Sequence, residues 1–279
     1  MLTVKILVKR TLITFLALAG RLMPARRGIR ILYYHSVHPH RRNETNVRPA
    51  AFERHLRHLK KQYRVVPLEE ALDLLQKKMF TGKEMVVTFD DGYRDNVVVA
   101  APLLRRYGMK AAFFLTVGYI GTDTILHHDL HDDPAANRLL SWDEAIALLR
   151  EGHTIGSHTL THVQLSSLDA GGKRKEMKES LAMLRKQLGE GGYPVSYPYG
   201  SWTDFDAETT VLAGEDGYSS GFSAVSGVNT ETSDIFCLFR IGVDASDNLI
   251  TFAAKCSGTL DFLALKDSPV VKKILRLFF

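Results

Sequence analysis

From residue 28 onward, two hydrophobic periods alternate along the chain. Arg30-Ile31-Leu32-Tyr33-Tyr34-His35, Glu84–Phe89 and Ala111–Val117 are short apolar runs that read as strands buried on both faces. Between and after them, apolar residues three and four apart predict amphipathic helices over Ala51–Tyr63, Leu68–Lys77, Asn96–Tyr107, Lys173–Leu188 and Asp206–Glu215. Gly108 stands where a left-handed C-cap would end the third of these. Ser141, with Glu144 three residues on, marks a capping box opening a helix to Arg150. Thr154–Gly156, Val195–Tyr197, Gly221–Ala224 and Phe239–Val243 supply the later strands. Strands alternating with helices over about 220 residues imply an α/β fold with a parallel sheet, and this many units suggest a barrel. In such barrels chemistry sits at the carboxyl ends of strands.

Composition narrows the class. The 279 residues are 45% hydrophobic and 24% charged, ordinary globular values that exclude disordered and low-complexity chains. The two cysteines, Cys237 and Cys256, form neither a disulfide framework nor a CxxC metal knuckle. The net charge of +5 changes meaning once it is located. Residues 1–30 carry seven basic side chains and no acid, and residues 270–279 add Lys272, Lys273 and Arg276. The body between holds 26 basic against 31 acidic residues. An acidic body with basic, apolar ends argues for a membrane surface and against a nucleic-acid partner.

Three domain-level segments follow: a basic apolar segment at 1–28, a catalytic domain at 29–260 and a basic amphipathic tail at 261–279. The apolar stretch TLITFLALAG is about half the roughly 20 residues of a spanning helix. It suits an interfacial helix or short anchor. A signal peptide cleaved near Ala17-Leu18-Ala19 and a helix docked on the barrel are the alternatives. The expected location is the bacterial inner membrane, held peripherally or by a short anchor. The cytoplasmic face is preferred, and export is the alternative.

Three segments carry candidate chemistry. Thr88-Phe89-Asp90-Asp91-Gly92-Tyr93 puts two adjacent carboxylates after an apolar strand, a costly pairing unless a cation or proton shares them. One of the two can face a metal while the other faces substrate. His158 and His162 in SHTLTH are four apart, the spacing of one face of a helical turn. With a carboxylate they make a His₂Asp triad with open positions, the pattern of a catalytic metal. Val195-Ser196-Tyr197-Pro198-Tyr199-Gly200 ends a strand in a turn whose backbone N–H can stabilise an oxyanion. His153 reads as packing, and His127, His128 and His131 as a solvated cluster in a polar loop.

TFDDGY, SHTLTH and YPYG, in this order and each at a strand end, resemble the polysaccharide deacetylase family, the NodB-like domain of carbohydrate esterase family four. The resemblance runs from about Ile31 to about Gly258. It implies a distorted (β/α)₇ barrel that removes N-acetyl groups from amino sugars with a divalent metal, usually zinc, with cobalt, nickel or manganese as other candidates. It implies Asp91, His158 and His162 as metal ligands, Asp90 as catalytic base and the Tyr199 N–H as oxyanion donor. The implied partners are an amino-sugar glycan and the membrane surface. No motif specifies an oligomeric state.

Two departures from the family pattern matter. Ser196 occupies the place of an arginine that orients the base in many members, and Arg240 is a strand-end cation available to replace it. No histidine follows His162, so the late Leu-x-x-His motif that supplies the general acid is missing. Leu32-Tyr33-Tyr34-His35-Ser36-Val37 resembles the opening strand of the poly-N-acetylglucosamine deacetylase branch, which makes His35 the candidate acid. The expected activity is deacetylation of an amino sugar in a cell-surface polysaccharide or its lipid-linked precursor. An inactive carbohydrate-binding relative and a deformylase for a lipid-linked sugar are the alternatives. A glycosidase ranks low, because adjacent aspartates cannot flank a glycosidic bond.

Overall fold

The computed structural model describes Thr11, Thr14 and residues 26–41, 43–130 and 134–261. The basic segments assigned to 1–28 and 261–279 lie almost wholly outside these. Eight strands alternate with helices: β1 (Arg30–Tyr34), β2 (Arg64–Val65), β3 (Glu84–Phe89), β4 (Ala112–Leu115), β5 (Thr154–Ser157), β6 (Val195–Ser196), β7 (Gly221–Phe222) and β8 (Ile241–Gly242). Every named pairing is parallel, in the order β7-β6-β5-β4-β3-β1-β8, with β2 added beside the start of β3. The chain before β8 also bonds to the residues following β7, Ser223 N–H to the Leu238 carbonyl at 2.9 Å and Arg240 N–H to that of Val225 at 3.0 Å. The sheet thereby curls into the distorted (β/α)₇ barrel.

Strand alternation gives the wall two buried faces. Leu32, Val87, Phe89, Phe113 and Leu115 pack outward on helix residues such as Phe52, Leu56, Leu104 and Leu148. Ile31, Val86, Ala112, Phe114 and Phe222 form a second cluster inside, closed by Leu68, Ala71 and Leu75 of one helix. Aromatic rings knit the outer layer, with Phe89 stacked on Tyr34 at 5.5 Å and on Phe113 at 5.0 Å. The inward parity also carries Thr88, Asp90, His158 and Ser196, whose polar groups therefore converge at one end.

The helices are α1 (Pro49–Gln62), α2 (Leu68–Gln76), α3 (Ala101–Tyr107), α4 (Trp142–Arg150), α5 (Ala170–Leu188), α6 (Ala207–Asp216) and α7 (Leu249–Ser257). The capping box on α4 forms as its sequence predicts. Two points differ from the sequence reading. The helix expected over Asn96–Tyr107 opens with a wide turn at Asn96–Ala100, in which Ala101 N–H bonds five residues back to Asn96. Pro102, lacking an N–H, follows at once and confines regular helix to α3. Helix α7, capped by Asn248, had no expectation attached to it.

Gly156 on β5 shows how tightly the strand before His158 is seated. A Cβ there would lie 2.6 Å from the Phe114 ring and 2.7 Å from the Pro194 carbonyl oxygen. Gly156→Ala should therefore cost about 1–3 kcal/mol by overpacking. Urea unfolding should show a lower midpoint at unchanged slope.

Candidate active site

Asp90 and Asp91 end β3, and the backbone sends them apart. Alternation that turns Asp90 inward would turn Asp91 away. A left-handed φ of +74° at Asp91 breaks the alternation and brings it back toward the cleft. Thr159, His162 and Tyr199 also have positive φ, so four of the five such non-glycine residues described belong to this site. Strain concentrated in this way marks a functional constellation.

Asp90 is fully buried against Arg240, whose side chain has no exposure. The pair is bidentate, Nη1 to Oδ1 at 2.7 Å and Nη2 to Oδ2 at 2.8 Å. Arg240 Nη2 also donates to Ser196 Oγ at 2.8 Å, and Nε to the Ser223 carbonyl at 2.8 Å. Its guanidinium carbon lies 4.6 Å from the centre of the Tyr33 ring. The family resemblance implies an arginine at the place of Ser196, and the fold brings a guanidinium to that serine from the strand across the closure. Burial alone would raise the Asp90 pKa, but the Arg240 charge outweighs it and holds the carboxyl below its usual range.

Asp91, His158 and His162 form a cluster whose donor atoms all lie within 4.8 Å of one another. Asp91 Oδ1 is 3.4 Å from His158 Nε2 and 3.2 Å from His162 Nε2. The spacing of four suggested a helical turn, and this is corrected. The two histidines stand on a loop after β5, bent by left-handed Thr159 and His162. Glu176 of α5 fixes that loop, accepting from Leu160 N–H at 3.0 Å, Thr161 N–H at 2.9 Å and Thr161 Oγ1 at 2.6 Å. His158 Nδ1 bonds to the Ser196 carbonyl at 2.8 Å, so the proton is on Nδ1 and the Nε2 lone pair faces Asp91. Burial pushes the His158 pKa down to about 4, which keeps that ring neutral. Burial also pulls on His162, but the negative charge of Asp91 beside it prevails and raises its pKa.

The residues fit a divalent cation. Asp91 Oδ1 is buried and makes no geometrically sound hydrogen bond, although imidazole nitrogens stand on two sides of it. A lone pair aimed at a carboxylate oxygen repels it unless a proton or metal ion lies between. The remaining predicted residues surround this cradle. Tyr199 stacks edge-on against His162 at 5.0 Å with 53% of its surface exposed, and its backbone N–H meets no acceptor among the described residues. Half-buried His35 follows β1 directly, within electrostatic reach of both aspartates. Its backbone is clamped: Asn96 Nδ2 donates to the His35 carbonyl at 2.8 Å, and Asp95 accepts from Ser36 Oγ at 2.5 Å and Val37 N–H at 2.9 Å.

Residues that the sequence did not single out complete the site. Glu176, Asp95 and Asn96 had no local signal, since Glu176 and Asn96 read as parts of helix patterns and Asp95 as the loop residue before one. His128 was read as solvated. It instead turns its Nε2 to within 3.7 Å of Asp91 Oδ2 while keeping 36% side-chain exposure. His127 is exposed, and His131 lies outside the described residues. His153 is buried packing, accepting from Ala111 N–H at 3.1 Å.

Fold and site together are those of a barrel hydrolase. The chain belongs to the polysaccharide deacetylase family, whose model matches residues 77–219. A Bacillus subtilis protein carrying that family name, YxkH, is 30% identical over 80% of this chain and 74% of its own. The poly-β-1,6-N-acetyl-D-glucosamine N-deacetylase of Staphylococcus aureus is 24% identical over 74% of this chain and 71% of its own. Among solved structures, the Streptococcus pyogenes deacetylase PplD matches with a TM-score of 0.66 and 25% identity, covering 79% of this chain and 94% of its own. IcaB from Ammonifex degensii has the same fold, with a TM-score of 0.70 and 22% identity over 84% and 98%. The family match begins after His35 and ends before Arg240. Those two residues therefore enter the site through tertiary structure rather than through the matched motifs.

The Asp90–Arg240 pair makes a measurable statement. Arg240→Met leaves a buried carboxylate unpaired and should cost about 3–5 kcal/mol in chemical denaturation. Adding Asp90→Asn should recover much of that loss. Additive losses would show that the two side chains are not coupled.

Proposed function

We propose that this chain removes the N-acetyl group from an amino sugar of a bacterial cell-surface polysaccharide or its lipid-linked precursor, with a divalent metal, zinc first among candidates. The observation that carries the reading is the buried Asp91–His158–His162 cradle standing beside an arginine-held Asp90. Two imidazole nitrogens and one carboxylate suit zinc and leave positions for water and substrate. A cation held there supplies Lewis acidity toward an amide carbonyl and water.

The chain's own groups supply the rest. Asp90, kept ionised and aimed by Arg240, takes the proton of the attacking water. The Tyr199 N–H, without an acceptor among the described residues, donates to the developing oxyanion. His35 protonates the departing amine, and its clamped backbone supports that task by fixing where the ring starts. Acetate and a free amino sugar leave. The deacetylase families of the relatives support an N-acetylglucosamine polymer as substrate class.

The basic, apolar termini support a place on an anionic membrane surface, the cytoplasmic face of the inner membrane being our proposal. No helix among the described residues is long and apolar enough to cross a membrane.

Dialysis against a chelator should abolish acetate release from soluble β-1,6-linked N-acetylglucosamine oligomers, and zinc or cobalt should restore it. Full activity in the metal-free protein would overturn the reading. The full-length chain should co-sediment with anionic vesicles at low salt and release as salt screens the charge. Failure to bind at low salt would remove the membrane proposal and leave the chemistry intact.

A further inference from the structure

A second buried ion pair lies on the other side of Asp91, and the proposed mechanism makes no use of it. Arg41 and Asp129, each with 1% side-chain exposure, form a direct ion pair. Tyr93, two residues after Asp91 and itself buried, joins them. Its hydroxyl donates to Asp129 Oδ2 at 2.6 Å and accepts from Arg41 Nη2 at 3.0 Å. The Arg41 guanidinium also lies over the Tyr93 ring at 4.1 Å. Buried pairs of this kind contribute little net stability. This one also leaves Arg41 Nε and Nη1 without acceptors among the described residues, a further cost. What the network achieves is placement: it pins the short turn His127–Asp129, whose last carbonyl also accepts from Asn137 Nδ2 at 3.2 Å.

His128, exposed like its neighbour His127, is the member of that turn whose ring lies beside the site. Its Nε2 lies 3.0 Å from the Tyr93 hydroxyl, and its ring centre lies 5.1 Å from that of His162. The tautomer follows from counting protons. Tyr93 has one hydroxyl proton, and the carboxylate of Asp129, closer and charged, is the better acceptor. The Nε2 of His128 must then carry the proton and donate it to the tyrosine oxygen. Nδ1 is left with its lone pair and has no hydrogen-bond partner among the described residues. Asp90, Asp91 and His158 are buried, so a ligand approaching them passes the exposed faces of His128 and Tyr199. A sugar ring presents several hydroxyl donors to that rim.

We propose that His128 is a substrate-contact residue whose Nδ1 accepts a hydrogen bond from a hydroxyl of the bound amino sugar, in a tautomer fixed by Tyr93, Asp129 and Arg41. The inference rests on the proposed glycan substrate and adds a specificity-determining residue to it.

The test compares the zinc-loaded full chain with its His128→Ala, His128→Asn and Tyr93→Phe variants. KM for a β-1,6-linked N-acetylglucosamine oligomer, its calorimetric Kd and zinc affinity by chelator competition are measured on each. His128→Ala should raise both KM and Kd about ten-fold, the size of one neutral hydrogen bond, with zinc affinity unchanged. His128→Asn, whose amide oxygen can stand near the Nδ1 position, should recover part of the loss. Tyr93→Phe should raise KM by less, because the ring keeps its acceptor and loses only its orientation. Unchanged KM and Kd in His128→Ala would overturn the proposal. Zinc affinity weakened ten-fold or more in that variant would also overturn it, making His128 part of the metal centre instead. A wild-type chain that binds the oligomer without releasing acetate would refute the deacetylase reading alone. A chain that neither binds nor cleaves it would refute both.

Discussion

Two consecutive carboxylates buried at the end of one strand must each find a separate counter-charge, and much of the barrel's upper end is arranged to provide them. Coulomb repulsion between adjacent buried anions is not screened by water there. Asp90 is satisfied by a bidentate guanidinium, whereas Asp91 stands with two imidazoles in a cluster that fits a cation. The split requires Asp91 itself to be left-handed. On the proposed reading this divides the labour, one carboxylate being held for proton transfer and the other facing a metal.

The same economy of backbone recurs around the site. Thr159, His162 and Tyr199 hold positive φ without being glycine, and each is fixed by packing or hydrogen bonds from outside its own loop. Glu176 gathers the 158–162 loop with three bonds from α5. Helix α5 therefore presents an acid to the loop instead of a merely solvated face. Asp95 and Asn96, at the wide turn before α3, do the equivalent for the backbone on either side of His35. Rigid support of this kind is what holds catalytic groups within a fraction of an ångström of productive geometry.

Two Arg–Asp pairs flank the cleft, Arg240–Asp90 within it and Arg41–Asp129 beside it. Neither is well explained as a source of stability, given the desolvation of four charged groups. Both are explained as devices of position. In the mechanism we propose, one aims the base and the other orients an imidazole at the rim.

Much of this molecule was legible in the order of its residues. Hydrophobic period alone separated strands from helices, because burial on two faces and burial on one leave different spacings. The TFDDGY, SHTLTH and YPYG segments lie on single strand ends, so local sequence carries them whole. The sequence also named Arg240 and His35 as replacements for missing motif residues, though only as residues available for the task. Their contacts depend on which strands neighbour which, and β8 reaches β1 and approaches β7 only when the sheet curls. The helical turn assigned to His158 and His162 was wrong because a spacing of four does not distinguish a helix from a bent loop; Glu176, far along the chain, decided between them. His128 was misread for the same reason. A polar loop looks solvated until Arg41, Tyr93 and Asp129 meet beneath it, and no local pattern reports a meeting of residues so far apart in sequence.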